Sequence, residues 1–170
     1  VLAKGPYPPR SGERYDADWY RTVIIAAGVK RSLEAKDQNA EILILCDAQY
    51  EGGRPEADYY VEALNEQLEY APRVIIYGHD TVTQLEWALR IARAEKKELI
   101  VVAAWIHAWR ARWILRGTGT HICAVNGKGH PQYVRWDIIL LFLYPFIELI
   151  GLKNAFLAYG ERKRKGGVAY

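Results

Sequence analysis

Five short apolar runs constrain this chain more than any other feature: Thr22–Ala27 (TVIIAA), Glu41–Cys46 (EILILC), Arg73–Tyr77 (RVIIY), Glu98–Ala104 (ELIVVAA) and His121–Val125 (HICAV). They are continuous and largely β-branched rather than alternating, the pattern of strands buried on both faces of a parallel sheet. Between them lie segments of helical character, Val29–Gln38, Glu56–Leu68, Val82–Lys96 and Ala108–Arg116. Strand followed by helix, repeated, predicts an α/β fold: a doubly wound, mainly parallel sheet of about five strands, Rossmann-like, with right-handed crossovers. The 170 residues suffice for one domain with a substantial core, since a chain of this size buries about 70% of the surface it exposes when unfolded. We place an N-terminal arm at 1–19, the α/β domain at 20–152 and a basic C-terminal tail at 153–170.

Charged residues make up 25% of the chain and leave a formal net charge of +3, which excludes intrinsic disorder and collagen-like or disulfide-built chains. The 12 Tyr and 6 Trp are many for this length and serve either a core or a concave site. Cys46 and Cys123 lack metal or redox spacing and read as small reduced hydrophobes, with a single disulfide as the alternative. Residues 1–20 contain Pro6, Pro8 and Pro9 and no apolar core of signal-peptide length, so neither a signal peptide nor a membrane anchor is expected there. The expected location is cytoplasmic or envelope-associated. Methionine is absent altogether, which fits removal of an initiator or cleavage of a longer precursor.

The third helix should be well formed, because Asp80 or Thr81 can cap it, Leu85, Ala88, Leu89 and Ala92 recur at helical spacing, and Lys96 and Lys97 close it. The segment Trp136–Leu152 is the most apolar in the chain, yet Pro145 and Glu148 interrupt it. It falls short of the roughly 20 residues that span a bilayer. A helix docked on the sheet is the preferred reading and an interfacial membrane helix the alternative. The run ERKRKGG at 161–167 reads as a solvated end, or as a contact for anionic lipid or nucleic acid.

Ligands of an open parallel sheet bind beyond the carboxyl ends of its strands, so the residues after each run are the informative ones. They are Gly28; then Cys46, Asp47, Gln49 and the Gly52-Gly53-Arg54 turn leading to Glu56; then His79, Asp80, Thr81 and Thr83; then Trp105, His107 and Arg110; then Asn126, Lys128 and His130. Three of the four histidines fall on this rim. His107 and Arg110 are three residues apart, which puts them on one side of a helix, and a His and an Arg at a helix start make a cationic pocket for phosphate or carboxylate. Each also has a structural reading. His107 can bond locally, Arg110 can be a solvated helix face, and Glu56 can simply favour a helix dipole.

Motif tests mostly exclude. AAGVKRS stands where a dinucleotide fingerprint would be, and neither a P-loop nor a GxSxG elbow occurs. CDAQYEGGR has a wider spacing than a cysteine-phosphatase loop. Asp47, Glu56, His79, His107 and His130 have suitable ligand chemistry for a metal, but no fixed-spacing pair supports one. No metal is assigned and no cofactor is identified.

The rim residues resemble those of the YdcF/SanA/ElyC-like group of small bacterial α/β proteins, over about Tyr20 to Gly127. The resemblance rests on VIIAAG, GGRPEADYYVEAL, HDTVTQLEWALRIA and, most specifically, IVVAAWIHAWRARWILRG, in that order. It implies that Glu56, Thr83, Glu86, His107 and Arg110 sit where the group places its shared polar residues. The chain departs from the group's glycine pairs with Ala27-Gly28 and Asp47-Ala48, and its Thr-x-Glu-Asn helix entry is represented only loosely by TQLEW. By resemblance the expected role is envelope-related, connected with peptidoglycan precursors or the permeability barrier, with nucleotide-type ligands in some members.

Residues and resemblance together predict an anionic, phosphate-bearing small molecule, a nucleotide or a lipid or sugar phosphate, held by Arg110 and the helix start at His107. Gly28, Gln49, Asp80, Thr83, Glu86 and Asn126 are its further expected contacts. His107 is the candidate general acid or base, with Glu56 or Asp47 orienting it or a water, for hydrolysis or transfer at a phosphoryl or glycosyl-phosphate group. One alternative is a non-enzymatic envelope factor docking on a membrane or partner through residues 138–152 and the basic tail. Another is an S-adenosylmethionine-binding protein, although the glycine-rich first loop is missing. A nucleic-acid partner is not expected.

Overall fold

The computed structural model describes residues 17–45, 55–68, 72–75, 80–126 and 131–165. They form α1 (Ala17–Glu34), β1 (Leu43–Leu45), α2 (Glu56–Leu68), β2 (Arg73–Ile75), α3 (Thr81–Ala94), β3 (Ile100–Ala104), α4 (Trp105–Ile114), β4 (His121–Val125), α5 (Pro131–Leu149) and α6 (Lys153–Lys165). Two compact units result, residues 1–129 and 130–170.

The expected five-stranded doubly wound sheet is not what forms. Among the described residues the strands make two separate parallel pairs, β1 with β2 and β3 with β4. Leu43 to Leu45 register with Arg73 to Ile75, and Ile100 to Ala104 with His121 to Val125. The described residues form a mixed α/β fold with six helices. The decisive difference lies in the first run, because Thr22–Ala27 belongs to α1 and not to a strand. Its burial is helical: Thr22, Val23, Ala26, Ala27 and Lys30 are buried, while Ile24, Ile25 and Gly28 are exposed. That three-and-four spacing is one helix face turned to the core.

Each face of α1 then has its own work. Val23 and Ala27 pack with Ile42, Ile44, Tyr60 and Leu64 of the β1–α2 region. Ala26 packs with Val102 of β3 and Val125 of β4. On the other side of β3, Val101 and Ala103 meet Leu85 of α3 and Ala108 and Ala111 of α4. Alternation along the strand sends successive side chains to opposite faces, so β3 is covered by helices on both.

The second unit is a helix pair. After α5, Gly151 adopts a left-handed φ of +74°. Its N–H donates to the Glu148 carbonyl at 3.1 Å, and the Leu152 N–H donates to the Ile147 carbonyl at 3.0 Å, satisfying the last carbonyls of α5. Tyr144 and Phe156 then meet edge-on, ring centroids 5.8 Å apart. α6 covers most of the basic terminal segment. No described helix is long and apolar enough to cross a membrane.

The helical state of α1 can be tested directly. A Cβ added at Gly28 meets nothing within 4 Å, so Gly28→Ala is expected to stabilise by about 0.5–1 kcal/mol in thermal or denaturant unfolding. Ile24→Ala should be close to neutral, whereas in a strand covered on both faces it would cost about 2–5 kcal/mol.

Candidate functional site

Two helix starts frame the candidate site. α3 is capped by Asp80, whose Oδ1 accepts from the Val82 N–H at 2.8 Å and the Thr83 N–H at 3.0 Å. The Thr83 hydroxyl donates to Asp80 Oδ2 at 2.9 Å and lies 3.1 Å from the Asp80 carbonyl, which fixes the carboxylate over the first turn. α4 starts differently. β3 passes into it without a loop, and Ala104 at the N-cap supplies no side-chain hydrogen bond.

Arg110 joins the two. It lies in the second turn of α4 and is only 6% exposed. Side chains on a helix lean toward its N-terminus, and the guanidinium Nη2 donates to Thr81 Oγ1, the first residue of α3, at 2.9 Å. His107 sits one turn earlier on α4, half-buried, with its ring Nε2 atom buried. Asp80, Thr83, Arg110 and, through helix spacing, His107 are therefore gathered at adjoining helix starts.

The other expected contacts are placed elsewhere or outside the described residues. Gly28 is not at a strand end: it lies exposed in the middle of α1, a consequence of the run before it being helical. Asp47, Gln49, His79, Lys128 and His130 fall outside the described residues, as does Cys46. Glu56 opens α2, but its side chain is not described. Glu86 is half-buried one turn beyond Thr83. Asn126 follows β4 and is exposed. Cys123, on β4, is a free half-buried thiol. No metal-ligating cluster of His, Cys, Asp or Glu exists among the described residues.

Sequence reasoning missed a cavity. About 420 Å³ in volume, it is walled by α1, β1, α3 and β3, with Val29, Leu43, Leu85, Ile91 and Val101 among its apolar lining. The size lies within the range of small-molecule sites. Glu41, Arg73, Glu95 and Lys97 line it too and form an ion network: Arg73 to Glu95 at 2.5 Å, Lys97 to Glu95 at 2.7 Å and Lys97 to Glu41 at 3.1 Å. Lys97 and then Arg73, bonding to Glu95, hold its carboxyl below the usual carboxylate range, and the same bonds hold both cations above theirs. Only the approximate positions of these groups were legible beforehand, because the network links residues 41, 73, 95 and 97 across the fold.

Comparison with protein-family models, with curated proteins and with solved structures finds no match to this chain.

The network fixes a pH response. A carboxyl with a lowered folded-state pKa adds stability above its unfolded value and loses it as pH falls through the folded one. Glu95→Gln should therefore lower the melting temperature slightly at neutral pH. The gap to the parent should close below the ordinary glutamate range and also shrink at high salt. A gap that persists in acid would remove the network as its cause.

Proposed function

We propose that the protein binds an anionic, phosphate-bearing small molecule at the adjoining starts of α3 and α4. The observation that carries this reading is Arg110: a buried guanidinium tied to Thr81 between two helix N-termini. Both termini favour negative charge. Asp80 already occupies the first amides of α3, so the anion's place is at the start of α4, where no side chain caps the turn. His107 stands there as the group able to give or take a proton near neutral pH. Membership of the YdcF/SanA/ElyC-like group belongs to the same proposal and rests on the His107 and Arg110 segment. A hydrolase or transferase activity would use His107 on a phosphoryl or glycosyl-phosphate bond, with Glu56 or Asp47 orienting it or a water.

Titration with pyrophosphate and with a nucleoside diphosphate, followed by calorimetry and thermal shift, tests the site. The parent should gain stability as ligand is added. Arg110→Lys, which keeps the charge but loses the planar fork, and Thr81→Ala, which removes one bond that positions the guanidinium, should each bind about tenfold or more weakly. Equal affinity in parent and variants would end the proposal.

A second reading is favoured by the surface of α5. Phe142 is 74% exposed, Leu149 is 85% exposed, and Ile138 and Phe146 continue the exposed apolar set at spacings of three and four. Such a helix, followed by the basic run of α6, suits docking on a membrane surface. Under this reading Phe142→Ser with Phe146→Ser should weaken flotation with vesicles while leaving pyrophosphate binding unchanged. Unaltered flotation would overturn it.

A further inference from the structure

α4 carries an exposed ladder that neither reading uses. Trp105, Trp109 and Trp113 recur every four residues and are 37%, 56% and 38% exposed. Residues at this spacing share a helix face, and these three extend over about 12 Å of it. Two cations accompany them: the Arg112 guanidinium lies 5.8 Å from the Trp109 ring centre and the Arg116 guanidinium 4.5 Å from that of Trp113. Both arginines are exposed. The same pairing recurs on α3, where Arg90 lies 5.9 Å from the Trp87 ring centre. Between Trp105 and Arg116 the sequence contains no acidic residue.

We propose that the outer face of α4 is a contact surface for an anionic lipid headgroup layer. Three observations select this occupant. Indole rings are amphipathic and settle at the boundary between headgroups and acyl chains. The arginines bring positive charge to the same face with no carboxylate on the helix to offset it, which complements lipid phosphate. A guanidinium lies over one face of Trp109 and one of Trp113, so a base stacking there would have to displace it, whereas a lipid phosphate would meet it directly. The surface belongs to the first unit.

Partition of the full chain onto phosphatidylcholine vesicles, with and without phosphatidylglycerol, tests this. The parent should bind only the anionic vesicles, less so at raised salt. Trp109→Ala, at the most exposed position of the ladder, and Arg112→Gln with Arg116→Gln should each weaken partition about tenfold. Circular dichroism should report a helix content equal to the parent's. The arginine pair, lying on the surface, keeps the test valid if the tryptophan variant fails to fold. Loss of binding in the α4 variants supports the proposal whatever the α5 variants do. Parent-like partition in the arginine pair, binding to oligothymidylate in place of vesicles, or loss of self-association without any vesicle binding would overturn it.

Discussion

The first unit depends on β3 being covered on both faces. Val101 and Ala103 turn to α3 and α4, and Val102 turns to α1. A short parallel strand, paired among the described residues with β4 alone, has little hydrogen-bonded area of its own, so its stability comes from apolar burial against the helices. Small residues make that possible. Ala103, Ala108 and Ala111 are fully buried, and their size lets α4 approach the strand it follows. Because no loop separates Ala104 from Trp105, the direction of β3 also sets the direction of α4, and hence where His107 and Arg110 stand.

Much of this was legible. β4 and α2 have the limits that the apolar runs and helical spacing suggest, and β1, β2 and β3 lie inside the expected runs. Asp80 caps α3 as its side-chain chemistry indicates. The first run failed for a physical reason. Val23, Ile24 and Ile25 are β-branched, which favours strands as a local preference, but tertiary burial overrides such preferences. Nothing between Ala27 and Val29 except Gly28 interrupts a helical continuation, and one glycine costs a helix only about 1 kcal/mol. α1 therefore runs unbroken from Ala17 to Glu34. A strand lost at the start removes the member that a doubly wound sheet would be built around, and the described residues form two parallel pairs.

The site was legible where its residues lie close in sequence. His107 and Arg110 share a helix side by spacing alone, and Asp80 and Thr83 bond within one turn. The bond from Arg110 to Thr81 spans 29 positions and could not be read from spacing. Neither could the cavity, whose walls come from four elements. The tryptophan ladder was open to inspection, since WIHAWRARW shows its period, but aromatic count points equally to a core until exposure is known.

Under the two proposals, one helix would serve two chemistries by its period. On α4 the inner positions, Ile106, Ala108, Arg110 and Ala111, are buried, and the outer ones, Trp105, Trp109, Arg112 and Trp113, are exposed. The burial of Arg110 is costly unless its donors are met, and the bond to Thr81 meets one of them. The exposed arginines carry no such constraint, since water solvates them and the indole faces beside them add a modest attraction. Charge on the inner face is therefore fixed in one geometry, suited to recognising a small anion. Charge on the outer face is adaptable, suited to an extended surface whose phosphates are not in fixed positions. A helix without a single carboxylate is repelled by neither kind of partner.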